Sequence, residues 1–379
     1  MRQARSCNAL GLLCAGVIVV LAVGMTLSLP RPCAAQADDP GPPGEPVKLI
    51  FIHHSSGENW LSDEHGRLGR ALSDNNYFVS DTNYGWGPDS IGDRTDITDW
   101  PEWFTGPNSS RYLAALYAED MQNSAYTRTL PDPGGENRII LFKSCFPNSN
   151  LEGNPSDPPR RGEGLTVSNA KAIYDELLRT FAAQPDKLFV AITAPPVQDR
   201  TYAANARAFN TWLVQDWLAD YPGTNVAVFD FYNVLTDPGN HHRLRNGAIE
   251  YVNERGADTL HYPSDGDDHP SPAGNLKATE EFVPLLNVYY HRWQRDRAAA
   301  PVATSLIAVP ANPMPPETQP SEEVDPPPGE EPSAGEPTEQ PPEESGYRRM
   351  CPGSAAIGTL IVLGAVCAQR RTRPHTNRE

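Results

Sequence analysis

Four runs of consecutive apolar residues constrain this chain more than anything else in it. They lie within 47–52, 138–144, 187–193 and 225–231, and 77–82 reads as a short fifth strand. Runs of this kind, without alternation, read as strands buried on both faces, which is the habit of a parallel sheet. Segments with helical periodicity separate them, at about 58–72, 111–126, 167–183 and 202–221, and one more closes the pattern at 272–293. Alternating strands and helices specify βαβ units, and right-handed crossovers place helices on both faces of the sheet. The expected fold is therefore α/β: a three-layer α/β/α sandwich around a central parallel sheet, of flavodoxin-like type. Residues 88–107, with Trp100, Trp103 and Phe104 among Asp, Gly and Pro, show no period and read as a long loop or insertion.

Composition divides the chain. Residues 1–37 carry Arg2 and Arg5, an apolar run and Ala35-Gln36-Ala37, which reads as a secretory signal peptide, with an uncleaved anchor as the alternative. Residues 38–300 hold the periodic patterns and form the expected globular domain. Residues 301–346 are dominated by Pro, Glu, Ser and Thr, and such a segment cannot bury enough surface to order itself. Residues 347–379 combine a short apolar stretch with Arg370, Arg371 and Arg373, and read as a transmembrane or sorting segment with a basic tail. The domain is then expected outside the cytoplasm, tethered at the membrane through its C-terminal segment. The net charge of -17 owes much to the linker, and nothing in the sequence suggests a nucleic-acid partner. Cys145 is the one cysteine of the globular region, so the domain stands on its core without an internal disulfide.

Two stretches could carry chemistry. The first strand ends in His53-His54-Ser55-Ser56-Gly57, at the carboxyl end of a central strand where open α/β sheets bind ligands. A serine there has its own N–H beside a helix start, suited to holding an anion. The plain alternative is that both serines cap the helix near Glu58. Far downstream, Asp265-Gly266-Asp267-Asp268-His269 precedes Pro270 and the last helix. A hydroxyl needs a base within hydrogen-bond reach and a carboxylate to orient that base. Ser55, with Ser56 as competitor, and His269 with one of Asp265, Asp267 and Asp268 supply those groups. Alone, the acidic loop would read as solvated surface or a cation site.

In order of elements and in these two blocks, residues 47–293 resemble the SGNH, or GDSL-like, hydrolase superfamily as a divergent member. The resemblance implies an SGNH-hydrolase-like fold and a Ser-His-Asp esterase without a cofactor. It places the nucleophile at Ser55, the base at His269 and oxyanion donors at Gly85 and Asn148, with Gly87 and Asn150 as second choices. The sequence departs from the family pattern at His53-His54 and in the block 143–148, and Gly266 stands where the family has Asp. Asp267 is therefore taken as the orienting carboxylate. An Asp-x-x-His also occurs at Asp258–His261, without the turn and helix that should follow.

The expected substrate is a small-molecule or polysaccharide ester, such as an acyl group on an extracellular glycan. Two other readings compete. A non-catalytic module could bind glycan or protein through the aromatic insertion around Trp86, Trp100, Trp103 and Phe104, residues that more often pack a loop than bind a ligand. A metal-dependent phosphoesterase could use His53, His54 and the Asp-rich loop at 265–268. A two-histidine metal site with His241, His242 or His261 is also conceivable, but adjacent histidines rarely share one ion.

Overall fold

The structure is a computed structural model that describes residues 37–264 and 266–299. Residues 1–36, Asp265 and 300–379 lie outside the described residues, and with them all but one residue of the expected signal peptide (1–37), the linker and the C-terminal segment. Among the described residues no helix is long and apolar enough to cross a membrane.

Five parallel strands form the central sheet: β1 (Val47–Ile52), β2 (Tyr77–Thr82), β3 (Ile139–Lys143), β4 (Leu188–Ile192) and β5 (Val226–Phe229), in the order β2-β1-β3-β4-β5. Because successive side chains of a strand point to opposite faces, each strand feeds two cores. Leu49 and Phe51 enter one, while Ile50 and Ile52 enter the other. The first core packs beneath α1 (Ser55–Leu61), α2 (Leu68–Ser73), α7 (Phe231–Thr236) and α8 (Pro272–Ala299). The second packs beneath α3 (Trp100–Phe104), α4 (Ser109–Ala118), α5 (Val167–Ala182) and α6 (Ala203–Gln215). This is the three-layer α/β/α sandwich read from the sequence. Its strand order reverses direction between β1 and β3, so the crevice at their carboxyl ends is the natural ligand position. Residues 53–57 and 144–150 line that end of the sheet.

Several elements differ from the sequence reading. The insertion read as a loop holds the short helix α3, and α6 ends at Gln215 rather than near 221. The helix α7 was not anticipated, and α8 runs on to Ala299. The helix expected over 58–72 is two helices, and the first already begins at Ser55. The chain leaves the first helix at Ser62 (ψ 139°) and enters the second after Arg67 at φ 56°. Between them Gly66 packs so closely that a Cβ would stand 2.3 Å from the Trp60 carbonyl. The helix expected over 111–126 stops at Ala118. A hairpin of β6 (His241–Arg245) and β7 (Ala248–Val252) was not anticipated at all. Asn246-Gly247, both at positive φ, is its turn, and Asn-Gly between short runs is a strong hairpin signal.

The start of α1 directly over the end of β1 depends on Gly57. A Cβ at that position would lie 2.4 Å from the His53 Cβ, with both residues buried. Gly57→Ala is therefore expected to destabilise the protein by about 1–3 kcal/mol through overpacking. A lowered urea midpoint would bear this out, and an unchanged one would mean that the helix can lift away from the strand.

Candidate active site

The two histidines after β1 fix the crevice floor. His53 is fully buried, with Nε2 3.2 Å from Asp81 Oδ2 at the end of β2. His54 donates from Nε2 to the Gly92 carbonyl, so its Nδ1 accepts from Thr95 Oγ1 at 2.9 Å. Burial lowers the His54 pKa to about 4, and the ring is neutral at ordinary pH. Its face stacks on Tyr84, ring centroids 4.0 Å apart.

Neither serine is the helix cap. His54 holds the N-cap position of α1, and Ser55 and Ser56 are its first two residues. Ser55 is half-buried and Ser56 wholly buried. Both hydroxyls meet one thiol: Ser55 Oγ lies 3.2 Å and Ser56 Oγ 3.4 Å from Cys145 Sγ. Ser56 Oγ also accepts from Lys143 Nζ at 2.6 Å, at the end of β3.

The loop before α8 brings His269 and Asp267 together. His269 Nδ1 lies 2.8 Å from Asp267 Oδ2, and the His269 backbone N–H donates to Oδ1 at 2.9 Å. An ionised carboxylate only accepts, so Nδ1 carries the proton, and in the neutral ring Nε2 is left as the acceptor. Burial alone would raise the Asp267 pKa, but the His269 N–H and ring, with the Ser264 hydroxyl, hold it below the usual carboxylate range. Asp268 accepts from the Gln198 N–H at 2.9 Å and side chain at 3.1 Å, which anchors the loop. The other Asp-x-x-His does not pair: Asp258 accepts from Arg207, and the His261 N–H donates to the Leu235 carbonyl.

The two halves meet through one dipeptide. Cys145 touches Ser55, and the next residue, Phe146, sets its ring edge-on to His269 with centroids 5.0 Å apart. Among the described residues no hydrogen bond joins Ser55 directly to His269. Catalytic hydrogen bonds are often long before substrate binds.

The two residues expected to complete the oxyanion site are differently disposed. Asn148 sits in the turn Phe146–Ser149, where its Oδ1 accepts from the Ile97 N–H and its Nδ2 donates to Asp96 Oδ1, each at 2.7 Å. These bonds fix the amide and use one of its two Nδ2 hydrogens. Asn150 closes that turn instead, its N–H on the Pro147 carbonyl. Gly85 is exposed, and its N–H donates to Asp93 Oδ1 at 2.7 Å. Gly87, also exposed, leads into the turn Pro88–Asp93 as its N-cap.

Reading the sequence for motifs missed Lys143 and Cys145 as members of this site. The signal was a lysine in the last position of an otherwise apolar strand. The aromatic insertion packs rather than binds: Trp100, Trp103 and Phe104 are almost wholly inaccessible, and Trp86 stacks on Trp103. The exposed aromatic near the serines is Tyr84, which retains 55% of its accessible surface. The histidines proposed for a metal turn to separate partners, His241 to Glu281 and His242 to the Asp230 N–H. Among the described residues no group of three or more His, Cys, Asp or Glu is gathered as ligands.

No protein-family model matches the chain, and no curated protein matches it. Among solved structures it is similar to a family two carbohydrate esterase from Clostridium thermocellum in complex with cellohexaose, at 12% identity and TM-score 0.31. A second similar structure is a carbohydrate esterase whose active site displays divergent catalytic and non-catalytic binding functions, at 14% identity and TM-score 0.28. Each alignment covers 66% of this chain and 66% of the esterase. A third solved chain aligns over 64% of this one and 96% of its own length, at 14% identity and TM-score 0.29. At TM-scores this low the likenesses carry no inference about activity.

Proposed function

We propose that this protein is a serine esterase in which Ser55 is the nucleophile, His269 the base and Asp267 the group that orients it. The observation that carries the reading is the dipeptide Cys145-Phe146, which touches the Ser55 hydroxyl with one residue and the His269 ring with the next. Ser55 is favoured over Ser56 because it is the more accessible of the two. In this reading the Ser55 oxygen bonds to the acyl carbon while its proton passes to His269 Nε2. The ester C–O bond then breaks, and the leaving alkoxide takes that proton. Water, deprotonated by the same nitrogen, releases the acid and returns the proton to Ser55. The Ser55 N–H and the second Nδ2 hydrogen of Asn148 would face the oxyanion, and Gly85 would join them only by leaving Asp93.

The finer reading is an acyl ester on an extracellular glycan. Tyr84, whose ring stacks on the residue before Ser55 and which is 55% exposed, stands beside the nucleophile in that reading. Export and tethering belong to the same proposal and rest on the sequence of residues 1–37 and 347–379. The glycan-binding alternative loses the insertion on which it was based, because those aromatics are buried.

A fluorophosphonate probe tests the nucleophile. The full chain is expected to be labelled once, at Ser55 by peptide mass spectrometry, and labelling should slow at least about a hundredfold in His269→Ala. Labelling elsewhere, or at Ser55 with no dependence on His269, would sink the assignment.

A further inference from the structure

We infer that Lys143 is a positioning residue for the Ser55 hydroxyl, acting through Ser56 and Cys145, an inference that rests on the esterase reading above. Lys143 is the last residue of β3 and is completely buried. Its Nζ donates to Ser56 Oγ at 2.6 Å and to the Ser144 carbonyl at 3.2 Å. Among the described residues no carboxylate is a hydrogen-bond partner of it. A buried ammonium without a counter-charge is costly, so a lysine in this place is a poor choice for stability alone.

The direction of the hydrogen bonds follows from the lysine end. An ammonium has three donors and no acceptor, so Ser56 Oγ must accept from it. The Ser56 proton is then left for Cys145 Sγ at 3.4 Å, and the thiol proton for Ser55 Oγ at 3.2 Å. With its oxygen accepting from the thiol, the Ser55 O–H is free to point at His269. The positive end of the chain also favours negative charge growing on that oxygen. If Lys143 loses its proton, Nζ becomes an acceptor and the chain can run backwards. The Ser55 proton then points at sulfur, away from the base.

Burial pushes the Lys143 pKa down to about 8, with Cys145 opposing the shift. The groups facing the lysine leave two candidates for that titration, Lys143 and Cys145. From the β1–α1 junction comes His54, already neutral at that pH, and from α7 the Phe231 ring, 6.0 Å away. From its own strand end comes the Cys145 thiol. Thiols ordinarily ionise in the same range, so Cys145→Ser, which keeps a hydroxyl in the relay, must retain the alkaline limb if Lys143 is its source. The productive state is the protonated one, present below about pH 8 and lost as the pH rises through it.

The test is the pH dependence of kcat/KM for p-nitrophenyl acetate with the full chain, each rate taken over that of Ser55→Ala at the same pH. The parent should lose activity above about pH 8. Lys143→Met should be roughly ten- to a hundredfold slower at pH 7 and show no further loss up to about pH 9.5. Ser56→Ala, which keeps the lysine but cuts the chain, should show the same flat profile and decides the matter if Lys143→Met does not fold. An alkaline limb like the parent's in Lys143→Met or Ser56→Ala, or its absence from Cys145→Ser, overturns the inference and leaves the esterase reading standing. A parent with no Ser55-dependent turnover overturns the esterase reading, and this inference with it.

Discussion

Alanine at Ser55 is expected to lower kcat/KM for p-nitrophenyl acetate and butyrate by at least about a thousandfold, with the fold retained. The expectation rests on position. Ser55 stands at the first turn of α1, half-buried at the switch point of the sheet, with its hydroxyl against Cys145. Its side chain holds up no other part of the structure, so the loss should be one of chemistry. Thermal and urea midpoints of the variant should match the parent closely.

His269→Ala should cost about as much as Ser55→Ala, because a nucleophile and its base act as one unit. The double variant should then be no slower than either single one. Multiplying losses would mean that the two residues contribute separately, against the shared proton transfer. Activity indifferent to Ser55 would remove it as nucleophile and turn attention to the chemistry of Lys143 and Cys145.

Much of the framework was legible because buried parallel strands leave an unmistakable trace. Residues 49–52 and 188–192 are apolar without a break, so they read as strands buried on both faces. The ends of the helices were less legible. The stretch 58–72 is two helices because the chain leaves the first at an extended Ser62 and re-enters through a left-handed Arg67, backbone turns that no local pattern shows. The β6–β7 hairpin was written in Asn246-Gly247 but passed over beside the stronger strands.

The candidate site was legible in part for a similar reason. Asp267 and His269 are neighbours in sequence, and their pairing is local. The cluster of Lys143, Ser56 and Cys145 joins residues more than eighty positions apart, and only the pairing of β1 with β3 brings them together. Gly85 illustrates the converse. Its place in a glycine-rich loop after β2 suited the expected role, but Asp93, eight residues on, accepts its N–H. Sequence position could place the loop, and hydrogen bonding decided what its donor faces.

The largest expected effect on stability belongs to Asp81, whose carboxylate has no accessible surface. Four groups converge on it. His53 Nε2 at 3.2 Å and Ser124 Oγ at 2.7 Å meet Oδ2, while the Asn123 N–H at 2.8 Å and Tyr126 hydroxyl at 3.0 Å donate to Oδ1. The cluster ties residues 123–126 to the end of β2 and holds His53 beneath the serine turn. Asp81→Ala strands buried donors in a water-poor site and should destabilise the protein by about 3–5 kcal/mol. The pH dependence carries a definite sign. Burial alone would raise the Asp81 pKa, but the hydrogen bond and charge of His53, with Ser124 and Asn123, bring it below its usual value. A carboxyl with a depressed folded pKa contributes stability that is complete above its unfolded value, near 4, and vanishes as the pH falls through the folded one. Asp81→Asn cannot ionise and lacks that contribution. Urea unfolding should therefore show a gap between the parent and Asp81→Asn that is constant from about pH 5 to 7 and narrows below about pH 4. A gap that persists unchanged into acid would mean that shape and neutral hydrogen bonds, not the carboxylate charge, hold the floor of the crevice.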